Sequence, residues 1–378
     1  MDPAVFMGGE FNPYTLGYYL GYPPSSPEAA KQGRKLLELY GVLPSRDTVA
    51  NCPSCRSLLH TVRDSERFGW RYCCENHVKR LRFSPLLNTF LSKVRLRGEM
   101  TTDKVLKLIQ MWCDRQPLIK VLQYLHLSAE SAVYWYGHCR EIACAIAWHD
   151  YIPIGGDKDV VEVHDSLLFK KQLNVRGRKT YKHIRLVGGI SRVTKKRFAL
   201  VVPSDIMSSD KLLPILHQCI DDKSYVCTSN SPAYEECEKI FNGHGWTDDF
   251  VYPPKGQSPM WMPTGRFSRE CLDLKWSRPP STPELQPFRI SVQNMKRAWR
   301  DLKSLTKSSF VEEHLDAYLG EWLYRKNVLG EIEGEKEKFE RFLRDRRRVY
   351  PGVGKKAMRV RYEDIMDCDC HECQPNGN

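Results

Sequence analysis

The chain is expected to fold as an α+β protein of several domains, and three observations predict it. Two close pairs of metal-ligand residues lie between Cys52 and His77. A block from Thr101 to Ala147 carries apolar residues at helical spacing. From Val160 the period changes to two, and strand-like runs then alternate with a helical one. The 378 residues have room for two or three domains, and hydrophobic and aromatic contents of 41% and 11% are enough to build cores.

Residues 1–50 read as a Pro/Gly/Tyr-rich arm followed by a helix from Pro27 to Tyr40, with no chemistry assigned. Residues 51–98 read as a zinc ribbon. The spacing is C-x2-C at Cys52 and Cys55, then Cys74 with His77, and Cys73 is the alternate third ligand. Zinc takes four soft or borderline ligands in a tetrahedron, which two such knuckles on facing turns supply. Unrelated thiols are the plain alternative. A ribbon of this size folds only with its metal, so the zinc is structural.

Residues 99–150 read as a helix-turn-helix. Val105, Leu108, Ile109 and Trp112 form one stripe. A second helix spans Leu118 to Leu125, and His126-Leu127-Ser128 makes the break. Ser128 caps a third helix, Ala129 to Ala147, with Val133, Trp135, Tyr136 and Ile142 as its apolar positions. The first turns of that helix are the candidate DNA contacts: Ser128, Glu130, Ser131 and Tyr134. An ordinary three-helix bundle is the plain reading of the same pattern.

Pro153 and Gly155-Gly156 mark a boundary, and residues 151–327 form the next domain. Strands are expected at Val160–Phe169, Ile184–Ile190, Phe198–Pro203 and Tyr225–Thr228, with a helix from Lys211 to Ile220. Asn230 reads as the cap of a helix from Ala233 to Phe241. A Pro-rich insertion covers about residues 251–290. Helices then start at Ser291 and Val311. Residues 328–378 read as a charged helix and a Cys/His tail. Arg341, Arg344, Arg346, Arg347 and Arg348 suit either phosphate binding or nuclear import, or make a solvated face. Cys368, Cys370, His371 and Cys373 make a second, tighter candidate metal cluster.

The net charge of +12 suits a polyanionic partner, above all nucleic acid. No run of about 18 apolar residues exists, so no membrane partner is expected, and no secretory signal is read at the start. The 14 scattered cysteines fit an intracellular protein with reduced thiols.

The order of parts resembles one family, the ISXO2-like transposases, closest to the eukaryotic Merlin superfamily. The matching pieces are Trp135-Tyr136-Gly137-His138-Cys139-Arg140-Glu141, Val161-Glu162-Val163-His164-Asp165-Ser166, Ser229-Asn230-Ser231-Pro232-Ala233-Tyr234 and Val292-Gln293-Asn294-Met295-Lys296-Arg297-Ala298-Trp299. The likeness runs from about Cys52 to about Asn327. It implies an RNase H-like domain, a mixed five-stranded sheet with helices, in which three carboxylates hold two divalent metal ions that cut DNA. The family motifs place those acids at positions 164, 230 and 296, where this chain has His164, Asn230 and Lys296. Three carboxylates contribute −3, whereas a neutral imidazole, an amide and an ammonium contribute +1, which repels the cations.

The resemblance therefore implies a domesticated transposase-derived protein that binds double-stranded DNA without cleaving it. It would act in the nucleus, with structural Zn2+ and no catalytic Mg2+, as a chromatin or transcription factor. A homodimer and chromatin or transcription proteins are the further partners expected. Arg297 and Arg347 join the candidate DNA contacts. Two rival readings are an active nuclease using displaced acids such as Glu162, Asp165 and Asp301, and an interaction scaffold without a DNA role. Asp165 is expected on the face opposite His164, since strand side chains alternate.

Overall fold

The computed structural model describes Leu16, Leu20 and residues 26–63, 69–92, 100–175, 178–202, 207–247, 275–278, 290–305 and 314–355. The chain divides into two compact units, Met1–Asp150 with Val328–Asn378, and Tyr151–Asn327. The terminal Cys368, Cys370, His371 and Cys373 lie outside the described residues, as does the expected insertion apart from one strand and Ile290.

The first unit opens with α1 (Pro27–Leu39), started by Ser26, whose side chain accepts the Ala29 N–H. Three short antiparallel strands follow, β1 (His60–Arg63), β2 (Trp70–Cys74) and β3 (Leu81–Phe83), in that order across the sheet. Their apolar face gathers Leu59, Trp70 and Tyr72 around Cys52 and Cys74, with Val353 from the far end of the chain. Gly354, at φ +77°, permits that return, because a Cβ there would lie 2.1 Å from the Asn51 carbonyl oxygen.

Helices α2 (Thr102–Cys113), α3 (Leu118–Leu125) and α4 (Ala129–His149) match the helical block. Trp135, Tyr136 and Ile142 are buried as expected, whereas Val133 is 55% exposed. The reason is angular: Val133 lies about 160° around the helix from Trp135, counting back two residues, so both cannot face one core. Gly33 lets α1 cross α2 closely, since a Cβ there would meet the Asp103 backbone N at 2.6 Å.

The arginine-rich segment is α8 (Glu335–Val349), which packs on α2 and α4 through Phe339, Phe342 and Leu343. Three of its five arginines are engaged internally. Arg346 is fully buried and donates to the carbonyls of Gly41 (2.7 Å) and Val42 (3.3 Å). Arg348 grips Asp150 with two bonds of 2.6 Å, and Arg341 pairs with Asp345 at 2.8 Å. Arg344 and Arg347 remain exposed.

In the second unit, six strands form one mixed sheet among the described residues. They are β4 (Val160–Val175), β5 (Arg178–Ser191), β6 (Arg197–Val202), β7 (Tyr225–Ser229), β8 (Gly243–Thr247) and β9 (Lys275–Arg278), ordered β6-β5-β4-β7-β8-β9. β4, β5 and β6 are antiparallel neighbours, whereas β7 runs parallel to β4 after the crossover helix α5 (Ser209–Cys219). The five-stranded expectation therefore gains an edge strand, β9, from within the presumed irregular insertion. The helix expected from Ala233 to Phe241 is instead two short 3-10 turns, Pro232–Tyr234 and Cys237–Lys239. Asn230 is not a cap: Ser231 takes that position, and makes no side-chain bond there.

One face of the sheet carries Val161, Val163, Val187 and Phe198 against Leu212, Leu213 and Leu216 of α5. The other carries Glu162 and Gly188 against α6 (Gln293–Leu305), with α7 (Leu315–Leu323) beside it. A Cβ on Gly188 would come within 2.7 Å of the Trp299 ring, so glycine is what admits α6 to this face. Among the described residues no helix is long and apolar enough to cross a membrane.

Candidate metal centre and the substituted acidic site

Cys52 and Cys55 flank a tight turn that Arg56 completes at φ +61°, with the Arg56 N–H donating to the Cys52 carbonyl at 2.9 Å. Cys74 ends β2, and the bend that follows carries His77 back beside it. The four ligand atoms lie within 4.8 Å of one another. Cys52 Sγ stands 3.5 Å from His77 Nε2, and Cys55 Sγ 3.5 Å from Cys74 Sγ. A zinc tetrahedron with Zn–S bonds of about 2.3 Å has edges of about 3.7 Å, so these separations fit a metal such as zinc. Cys73 is excluded by the pleat: it pairs with His60 in the ladder and points away from the face that Cys74 shares with the cluster.

The thiols are unequal. A side-chain hydrogen bond with Ser57, whose hydroxyl lies 3.4 Å away, lowers Cys55 to about 6. Burial pushes Cys74 up to about 11. In Cys52, burial is outweighed by backbone hydrogen bonds from Cys55 and Ser54, and the thiol falls below its ordinary value. The hydrogen bond to Cys52 raises His77. One side of the cluster is thus primed as thiolate, the form that binds metal. Ser57 is a contributor that the spacing of ligands did not disclose; its place in C-P-S-C-R-S was the only signal.

At the start of α4, Ser128 Oγ accepts the Ser131 N–H at 3.2 Å, so these two hydroxyls are engaged in the cap. Glu130 and Tyr134 point outward, Tyr134 being 48% exposed. Arg297 is exposed on α6 and Arg347 on α8, where its guanidinium lies over Gly41.

His164 stands on β4, Asn230 just after β7, and Lys296 on α6. The parallel ladder of β4 with β7 runs from Val160↔Tyr225 to Glu162↔Cys227, two residues before His164 and three before Asn230. Lys296 stands on α6, about 160° around the helix from Asn294, whose side chain bonds Glu162. The acids nearby are each held by a cation. Glu162, 1% exposed, accepts from Arg192 Nε, Asn294 Nδ2 and the Asn294 backbone N–H, all at 2.8 Å. Asp165 lies on the opposite face, as the pleat requires, receiving Arg185 at 2.8 Å and the Tyr234 hydroxyl at 3.3 Å. Asp301 pairs with Lys326 at 2.6 Å and accepts Trp322 Nε1 at 3.3 Å. Among the described residues, the Cys52/Cys55/Cys74/His77 group is the one cluster of three or more metal-ligand side chains.

No family profile matches this chain, and a search of characterised proteins finds no match to it.

Proposed function

We propose that the chain is a transposase-derived DNA-binding protein of the nucleus that has lost strand cleavage. The observation that carries this reading is the pairing, among the described residues, of Glu162, Asp165 and Asp301 with cations. Two-metal chemistry needs uncompensated carboxylates converging on one point. Glu162, Asp165 and Asp301 instead face Arg192, Arg185 and Lys326, and Asp165 is on the wrong side of the sheet. The strand order, three antiparallel strands and then parallel ones reached through a helix, supports the RNase H-like reading.

DNA recognition is assigned to the first unit. The cysteine–histidine knuckles hold structural zinc and stiffen the ribbon. Helices α3 and α4, joined by a turn in which His126 adopts φ 52°, act as a helix-turn-helix with Tyr134 and Glu130 facing the duplex. The net charge of +12 supplies sequence-independent attraction to phosphates. Chromatin or transcription proteins and a second copy of the chain are the proposed partners.

The test is binding and cleavage measured on one preparation. Zinc-loaded protein should retard duplex DNA at physiological salt and leave supercoiled plasmid intact with Mg2+ or Mn2+. Absence of binding to any duplex sinks the DNA reading. Nicking that disappears with Asp165→Ala sinks the loss of catalysis.

A further inference from the structure

The β4–β5 hairpin is longer than the sheet to which it belongs. β7 pairs with β4 only from Val160 to Glu162, and β6 with β5 only from Arg185 to Ile190. From Phe169↔Ile184 to Val175↔Arg178 the two strands pair with each other and, among the described residues, with no third strand. The register shifts between Leu167 and Phe169, at the point where pairing with β6 ends. Such an irregularity bends a strand and increases its twist, so it marks where a two-stranded ribbon leaves the sheet. Phe169 to Val175 rise about 23 Å at 3.3 Å each.

A hairpin without a third strand is marginal in water, so the ribbon draws little stability from its own ladder. Its composition lowers that further. No Asp or Glu stands between Asp165 and Asp205, and the ribbon carries Lys170, Lys171, Arg178, Lys179 and Lys182 with no acid of its own to pair them. Lys171 is the ladder partner of Lys182, and like charges directly opposite destabilise a sheet. Val175↔Arg178 falls on the same face as that pair, whereas Lys170↔His183 and Asn174↔Lys179 fall on the other. Cations therefore occupy register positions of both faces. Fold stability explains neither the length of the ribbon nor its charge, and a polyanionic partner explains both.

We propose that this ribbon is a DNA-contact element that enters the major groove of a duplex. That groove is about 12 Å wide, admits a two-stranded β-ribbon and has a phosphate backbone along each edge. Cations on both faces of the ribbon match those two edges. Its length of about 23 Å covers about seven nucleotides of one strand at 3.4 Å each. The inference rests on the DNA-binding reading and extends it, because the second unit then holds DNA as well as the first.

The experiment compares the full zinc-loaded chain with K170Q/K171Q/R178Q/K179Q/K182Q and with the charge-preserving K170R/K171R/K179R/K182R. Duplex affinity is measured at salt concentrations of about 50 to 200 mM. Three or more lost phosphate contacts should flatten the log–log slope by about 2.7 or more, so the wild-type advantage shrinks at least about 40-fold across that range. The arginine variant should keep the wild-type slope. Dimethyl sulfate footprinting is the second readout, because guanine N7 faces the major groove. The glutamine variant should protect fewer guanines than the wild type. If it melts below the wild type, K171Q/K182Q decides instead, with a slope change of about 1.8, since removing a like-charge pair does not weaken the ladder. An unchanged slope in a variant with the wild-type melting temperature overturns the proposal. A flattened slope with unchanged N7 protection overturns entry into the groove. Should the wild type bind no duplex at all, the DNA reading of the whole chain fails and takes the ribbon with it. Wild-type binding that the variants leave unaltered sinks the ribbon alone.

Discussion

Glu162 and Asn294 are bound twice over: one carboxylate oxygen takes the Asn294 backbone N–H and the other its side-chain amide, both at 2.8 Å. This pair fastens α6 to the sheet while Arg192 neutralises the buried charge. Removing the carboxylate leaves the Asn294 backbone N–H without its acceptor and the Arg192 guanidinium, which still donates to the Ser291 carbonyl, without its counter-charge. Glu162→Ala should therefore cost about 3–5 kcal/mol in urea unfolding, the range for breaking a buried ion pair. A loss under about 1 kcal/mol would mean that the pair does not fasten the helix.

The metal centre separates two adjacent cysteines. Cys74→Ser should abolish stoichiometric zinc in purified protein, measured by elemental analysis, because it removes one vertex of the tetrahedron. Cys73→Ser should retain one zinc per chain. Equal zinc contents in the two variants would refute the assignment of Cys74.

Acid stability should depend on His244. Burial holds this imidazole down to about 4, with Glu238 opposing weakly, and its Nε2 lies 2.9 Å from Thr228 Oγ1. The unfolded chain, with a histidine near 6.5, binds the proton first as pH falls. Stability contributed by the neutral ring is thus complete above about pH 6.5. It is lost at up to about 1.4 kcal/mol per pH unit as pH drops toward 4, roughly 3 kcal/mol in all. His244→Gln should flatten unfolding free energy across that window, as followed by urea titrations at successive pH values.

Tyr134 tests recognition without disturbing the fold. Its ring packs edge-on to His138 at 4.5 Å and is 48% exposed, so truncation to alanine should cost about 0.5–1.5 kcal/mol and leave the chain folded. If the first turns of α4 meet the duplex, affinity should fall about tenfold or more, near the low end for a lost base-edge contact. Unchanged affinity in a gel-shift series would move the DNA interface elsewhere.

Local chemistry made much of this protein legible before any tertiary contact was known. The knuckle spacing named Cys52, Cys55, Cys74 and His77, with Cys73 as alternate, because metal ligands must sit close in sequence when a short turn presents them. Ser128 announced the start of α4, and the period of two in Val160–His164 announced β4 and set Asp165 on the far face. Those features depend on neighbours a few residues away, which a sequence displays directly.

What stayed hidden depends on partners far along the chain. Dismissing Cys73 as the alternate to Cys74 needed the ladder with β1, which decides the pleat. The basic segment after Arg341 read as a surface signal, yet Arg346 and Arg348 are consumed by Gly41, Val42 and Asp150, more than a hundred residues away. β8, reading Gly-His-Gly-Trp-Thr, carries too little apolar periodicity to declare itself and exists because β7 supplies its hydrogen bonds. Charge type and local period are properties of the chain, but whether a charge is free or already paired is a property of the fold, because it is settled by whichever group packing brings within about 3 Å.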